Sequence, residues 1–501
     1  RGAVRTLYRA SRVVTLSHPT MGEWILVDER HIERVGTGEP PEADATIELP
    51  GATIVPGFID THVHLTATGR SLSNDDVRAT GSKHELLELI RSRARDAKLV
   101  HVEGWDETRW DRPDLPTVAE LDAVTEVPVV ATRADGHISV VNTAALTAID
   151  AGGAAGVQTD PDGTPTGRLT ADANRIATAW AEASYDRNRI EELQLQAAGL
   201  AASRGVTSVH EMSMSLDDLD VLMAHRRHLP VDVVPILAST VLPEEIDRAF
   251  PSIGGDLPID GSIGAGTAAL EHPYEDGNDR GELYLADDSL AEFFHAGHNA
   301  GLQVGVHAIG DRAIEQVLST WERVYLALDS RERRHFRARR HRVEHFVLPS
   351  AAQLERAAML GLCVSVQPSF DLLWGQGGGL YEERLGPARA MAAHPIRTML
   401  ERGIEVGVGS DAPVTPLDPM LALTALEEHH DPAQRLTRLE ALKLHRVGSA
   451  RLGHQDGKKG ALEPGRHADF AAYDLDPLEV PSVEGLRPIL AVSLGREVFR
   501  A

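Results

Sequence analysis

From residue 206 to residue 408 the chain repeats one unit: a short run dominated by Val, Ile and Leu, followed by a longer stretch of helical character. The runs fall at 206–209, 231–237, 304–306, 343–346, 363–367 and 406–408. Runs without a polar face belong to strands buried on both sides, and strands that alternate with helices build parallel β/α units. This alternation excludes an all-helical bundle and an antiparallel sandwich for the middle of the chain.

Two regions depart from that rhythm. Residues 1–54 hold short strand-like runs (12–16, 24–27, 32–35, 45–49) broken by Gly36, Gly38, Pro40 and Pro41, and residues 456–501 resemble them, with runs at 468–473 and 489–492. The two termini are expected to pair into one small β-subdomain flanking a main domain at 55–455. Residues 70–200, with helix-like segments at 85–98 and 187–202, a Gly-, Asp- and Pro-rich loop around 152–167 and isolated runs at 100–105 and 129–132, read as an insertion after the first strand of that domain.

Composition removes several functions. The net charge of −25 disfavours nucleic acid and anionic membrane surfaces. Apolar stretches fall well short of the ~18 consecutive residues of a spanning helix, and no signal-peptide core is seen near residue 1, so a cytoplasmic location is expected. The single cysteine, Cys363, lies in an apolar run and is read as buried and inert. Only five lysines occur (Lys83, Lys98, Lys443, Lys458, Lys459), none between Lys98 and Lys443. Schiff-base chemistry in the middle of the chain is thereby excluded, and none of the five completes a P-loop.

The strongest chemical signal is Pro56-Gly57-Phe58-Ile59-Asp60-Thr61-His62-Val63-His64. Strand side chains alternate faces, so His62 and His64 project the same way and can grip one ion. Three more runs end in metal-type ligands: Val304-Gly305-Val306-His307, Val343-Glu344-His345 and Val406-Gly407-Val408-Gly409-Ser410-Asp411. In a β/α barrel the C-terminal strand ends share one face, so four of them converge there.

These segments, with His307-Ala308-Ile309-Gly310-Asp311, Gly409-Ser410-Asp411-Ala412-Pro413, Asp260-Gly261-Ser262 and the tail Pro464-Gly465, resemble the amidohydrolase superfamily, in particular its branch that includes N-substituted formamide deformylase. The resemblance covers most of the chain. It implies an α/β fold, a (β/α)8 TIM-like barrel with a small β-sandwich from both termini, and one or two divalent ions, with zinc expected. Carried over by motif, His62 and His64 come from strand 1, His307 from strand 5, His345 from strand 6 and Asp411 from strand 8; strands 2 and 3 fall at 206–210 and 231–237.

The departure is at strand 4. Many relatives bridge two metals with a carboxylated lysine four residues before the Asp of the D-G-S motif, and that position here is Asp256. One metal held by His62, His64, His307 and Asp411 with His345 nearby is the favoured expectation. The alternative is two metals bridged by a carboxylate, Asp256 first and Glu211 second.

Such a site implies a metal-dependent hydrolase of a non-peptide, amide-type C–N bond in a small, fairly apolar molecule. A bound Zn²⁺ brings its water towards a pKa of ~7 and polarises a carbonyl. Asp411 would then move the water's proton to the leaving nitrogen, and His345 would steady the oxyanion or the nucleophile. No G-x-S-x-G elbow offers a serine instead. Trp105, His137 and Trp374, beside polar or glycine-rich loops, are candidate substrate contacts. Two other readings remain open, a ring aminohydrolase and an inactive barrel serving as a binding protein, and a homodimer is compatible with either.

Overall fold

The computed structural model describes residues 4–18, 20–134, 136, 138–149, 154–240, 251–275 and 277–501. The chain divides into two compact units, one formed by Arg1–Leu65 with Leu195–Ala501 and the other by Thr66–Gln194.

The first unit contains eight parallel strands: β1 (Phe58–Val63), β2 (Val206–Ser213), β3 (Asp232–Leu237), β4 (Ser252–Ile253), β5 (Gln303–Ala308), β6 (Arg342–His345), β7 (Cys363–Val366) and β8 (Glu405–Val408). Every residue of β1, β2, β6 and β7 is buried, as expected for strands covered on both faces. The strands lie side by side in chain order, so the sheet could end at β1 and β8. It curls into a barrel instead: beyond β8 the Asp411 amide donates to the His62 carbonyl (2.8 Å) and the His64 amide to the Ala412 carbonyl (3.0 Å). Asp60 adds a clasp, one carboxylate oxygen accepting from both the His62 and Ser410 amides (3.1 and 3.0 Å). Gly409 makes the closure sterically feasible, because a Cβ there would fall 2.6 Å from the His62 Cβ.

Amphipathic helices cover the barrel. Asp311–Ala327 buries Ile314, Val317, Leu318 and Trp321 on one stripe, and the Trp321 ring stacks 3.9 Å from Phe294 of helix Asp287–Asn299.

The termini meet in one seven-stranded sheet. Its strand Ala45–Pro56 pairs in parallel with Arg5–Val14 on one side and antiparallel with Phe470–Tyr473 on the other. That strand is 12 residues long, more than twice the expected run at 45–49, and it feeds directly into β1. Tyr8, Val13, Ile25, Ile54 and Phe470 form the core of this layer.

The second unit carries a five-stranded sheet of Val100–Trp105, Val129–Arg133, Ile138–Val141, Pro165–Thr170 and Val157–Thr159, in that order, with Leu86, Ile90, Trp105 and Leu121 in its core. Within the described residues no helix is long and apolar enough to cross a membrane. Cys363 is buried, and burial pushes its thiol pKa up.

Candidate metal centre

Six side chains meet where the barrel strands end. His62 lies on β1 and His64 one residue beyond it; His307 is on β5 and His345 ends β6. Asp411 follows β8, and Asp256 follows β4 after Gly254-Gly255. The glycine pair has a steric reason: Gly254 has φ +87°, and a Cβ there would sit 2.0 Å from the Gly305 carbonyl oxygen. The chain thus presses against β5 and turns Asp256 into the ring of histidines. His345 and Asp411 also adopt left-handed backbone conformations, φ 72° and 57°. Such strain in non-glycine residues concentrates where function holds it in place.

Asp256 is central. Its Oδ1 lies 3.2 Å from His345 Nε2, 3.3 Å from His307 Nδ1 and 3.6 Å from His62 Nε2, and its Oδ2 lies 3.4 Å from His64 Nε2. Asp411 Oδ1 stands 3.2 Å from the Nε2 atoms of both His62 and His64. The outer nitrogen of each imidazole is tied to an acceptor: His62 Nδ1 to Glu344 (2.9 Å), His64 Nδ1 to the Met212 carbonyl (3.0 Å), His307 Nε2 to the Gly261 carbonyl (3.2 Å) and His345 Nδ1 to Gln367 Oε1 (2.7 Å). Those acceptors require N–H donors, which leaves the inner nitrogens as lone pairs whenever the rings are neutral. Lone pairs then face carboxylate oxygens, an arrangement that only protons or cations make favourable. Burial lowers the His62 pKa, yet Asp256 and Asp411 outweigh it and raise it to about 10. Burial likewise works against the Asp411 carboxylate, and His62 and His64 pull its pKa well below the usual range. The residues therefore fit divalent cations, with carboxylate and imidazole donors suited to zinc and neighbouring transition metals.

The sequence model of the Amidohydrolase family matches residues 45–499. The chain belongs to this family. As an amidohydrolase it is a metal-dependent hydrolase of carbon–nitrogen bonds other than peptide bonds. It is 29% identical to the YtcJ protein of Bacillus subtilis over 90% of this chain and 89% of that protein. Identity to the N-substituted formamide deformylase of Arthrobacter pascens is 24%, over 92% and 91% of the two chains. Among solved structures, an uncharacterized metal-dependent hydrolase from Pyrococcus furiosus superposes with a TM-score of 0.79 at 26% identity, covering 95% of this chain and 100% of that one.

A cavity of about 400 Å³ opens onto five of the six ligand-type residues of this amidohydrolase, His64, Asp256, His307, His345 and Asp411, with His62 buried behind them. Its walls are Ile263, Ile309, Phe370, Trp374, Tyr381 and Val414, and no Lys or Arg is found among its described lining residues. Phe370 lies parallel to the His345 ring at 5.9 Å, and Trp374 packs on Phe370. The structure thus brings Trp374 to the same cavity as the ligand set. It does not bring Trp105 to any surface: the side chain is fully buried and stacked on Trp110, so the expected substrate contact is corrected to a core role. His137 lies outside the described residues. Glu211, the second candidate bridge, accepts from the Leu65 amide (2.6 Å), and burial pushes its pKa up to about 7.

Sequence reasoning gave no role to Glu344 or Gln367, which orient His62 and His345. It gave none to His429 and His430 either. They are drawn in around the buried Asp371: His430 donates from its ring and backbone to Asp371, and from Nε2 to the Met391 carbonyl. His429 Nε2 donates to the His394 carbonyl and its Nδ1 accepts from the Asp431 amide. Every ring nitrogen of that trio has a protein partner, so it anchors the segment Asp371–Gly375 that carries Trp374.

Proposed function

We propose that this amidohydrolase cleaves an amide-type bond of a small, neutral, largely apolar molecule, using two zinc ions bridged by Asp256. The observation that carries the reading is the position of Asp256 within 3.2–3.6 Å of all four imidazoles. A solvated turn residue has no reason to be there, and a single-ion site has no use for a carboxylate between two histidine pairs. His62, His64, Asp411 and Asp256 would hold one ion, and Asp256, His307 and His345 would hold the other. When bound, such ions supply a water acidified towards a pKa of ~7 and a Lewis acid for the carbonyl oxygen.

The chain's own groups do the rest. Asp411 reaches the cavity from the strained turn after β8 and moves the proton from water to the leaving nitrogen. In this arrangement His345 would serve as a ligand instead of an oxyanion donor. The apolar walls exclude bulk water and bind the substituents on the amide. With no Lys or Arg among the described lining residues, a substrate carboxylate or phosphate has no partner, which favours neutral substrates. N-substituted formamides, N-acyl amines and cyclic imides are the classes to test, the first because one relative is an N-substituted formamide deformylase.

The test is a panel of these compounds incubated with protein of measured metal content, with products read by mass spectrometry. The expected products are an amine and an acid from at least one neutral amide, lost on Asp411→Asn when the two proteins are compared at matched metal content. Full activity in that variant on the true substrate would overturn the reading, and ammonia released from a ring would replace it with deamination.

A further inference from the structure

The four histidines are not anchored alike. His64, His307 and His345 donate to neutral oxygens, with the Asp260 carboxylate 3.6 Å from His307 Nε2 and beyond hydrogen-bond reach, whereas His62 donates to a carboxylate, Glu344 Oε2 at 2.9 Å. Glu344 is itself clamped: Arg342 Nε donates to its Oε1 (2.7 Å) and Arg342 Nη2 to its Oε2 (3.0 Å). Arg342 is fixed in turn by the Thr61 carbonyl (2.9 Å) on β1 and by His210 Nδ1 (2.9 Å) on β2. His62, Glu344, Arg342, Thr61 and His210 are all buried to within 1% exposure. The pair thus spans β1, β2 and β6 inside the barrel and ends on one ring nitrogen.

We propose that the Glu344–Arg342 pair is a positioning device that sets the affinity of the ion on the His62 side and leaves the ion on the His307 side alone. The inference rests on the two-ion reading above. Glu344 can only accept, so it fixes His62 as the Nδ1–H tautomer with Nε2 facing Asp256 and Asp411. A charge-assisted bond is stronger than the neutral ones, and a carboxylate behind a ligating imidazole makes that imidazole a better donor. Arg342 holds the carboxylate in one rotamer. The outer nitrogens of His307 and His345 have anchors of their own, Gly261 and Gln367, and neither is held by the Glu344 carboxylate.

The experiment is a Zn²⁺ titration of metal-stripped full-length protein against a competing chromophoric chelator. Wild type should give two dissociation constants. Glu344→Gln removes the carboxylate charge behind His62 and sets an amide NH₂ against a donor, either Arg342 or His62, so one constant should weaken by roughly 10- to 100-fold while the other stays within about threefold. Zinc-edge anomalous diffraction of that variant at one equivalent should place the remaining ion between Asp256, His307 and His345. If Glu344→Gln does not fold, the double variant Arg342→Met/Glu344→Met removes both buried charges together and should show the same one-sided loss. Two constants weakened equally would assign the pair a general structural role and overturn the proposal, as would two unchanged constants. A wild type that takes fewer than two ions would overturn the two-ion reading and this inference with it, an outcome visible before any variant is made.

Discussion

Where the barrel strands begin, Lys459 reaches inward to Asp232 (2.9 Å), Asp469 (3.0 Å) and the Ser208 hydroxyl (2.7 Å), and only 1% of its side chain is exposed. Where they finish, Asp256 and Asp411 face four imidazoles whose outer nitrogens are already committed. Both ends hold a pair of carboxylates. One is neutralised by a cation that the chain supplies, and the other is left to ions from solution. The beginning of the strands is thus built for stability and the end for chemistry, the usual division of labour in such barrels. The scarcity of lysine sharpens the contrast, since one of only five is spent at the structural end and none lies near enough in sequence to serve the other.

The contrast breaks if the two ends respond alike to substitution. The largest expected effect is at the functional end: Asp411→Asn should lower kcat by roughly 10³-fold, while the melting temperature of the metal-free protein moves little. A large loss of metal-free stability would mean that Asp411 also holds the fold. The converse is expected of Lys459→Met. It strands the buried Asp469 carboxylate beside the partly exposed Asp232 and should cost about 3 kcal/mol of unfolding free energy, with turnover per folded molecule unchanged. Chemical denaturation and active-site titration on the same samples measure both quantities.

The pH dependence of the Lys459 pair follows from the same charges. Burial alone would lower the lysine's pKa, but Asp469 and Asp232 raise it above its ordinary value. Its stabilisation is complete below the unfolded pKa of about 10.4 and is lost as pH rises through the folded value. Asp232 is pushed up by burial and pulled down further by Lys459. Its share is present above an unfolded pKa of about 3.9 and is lost as pH falls through the folded value. Lys459→Met should therefore flatten both limbs of the stability profile relative to wild type. Metal binding gives a smaller, additive increment at the other end. At 100 times its dissociation constant a divalent ion should add about 2.7 kcal/mol, retained in Lys459→Met and abolished by Asp256→Asn.

The same two ends explain what the sequence made legible. His62 and His64 could be read from strand parity, and the convergence of His307, His345 and Asp411 from apolar runs that stop at a ligand. The β/α alternation likewise led to the parallel barrel. Parity failed wherever the backbone left the extended region. Glu344 and His345 are neighbours and should point to opposite faces, but the left-handed φ of His345 brings both towards the same site, so Glu344 escaped notice. Trp105 was misplaced for a related reason. Gly104, at φ 99°, sits at a register shift between Glu103 and Trp105 that rotates the indole into the core. Asp256 was located by its spacing from Asp260, but its central position depends on a two-residue strand and a glycine pair pressed against β5, contacts that no local pattern encodes.

The mildest test concerns the cavity wall, which belongs to the functional end without touching the ions. Trp374 is half-buried on the segment Asp371–Gly375, packed on Phe370 at 4.8 Å and held from behind by the Asp371–His430 pair. Trp374→Ala removes apolar surface from the cavity while leaving the six ligand-type residues in place. For an amide with a long apolar substituent KM should rise roughly tenfold, and for a short one the change should be small, because the lost contact lies with the substituent. The value of kcat should stay within about twofold for both. A fall in kcat as large as the rise in KM would mean that the wall also orients the scissile bond. The functional end would then extend from the carboxylates to the aromatic segment, with Asp371 and His430 as part of it.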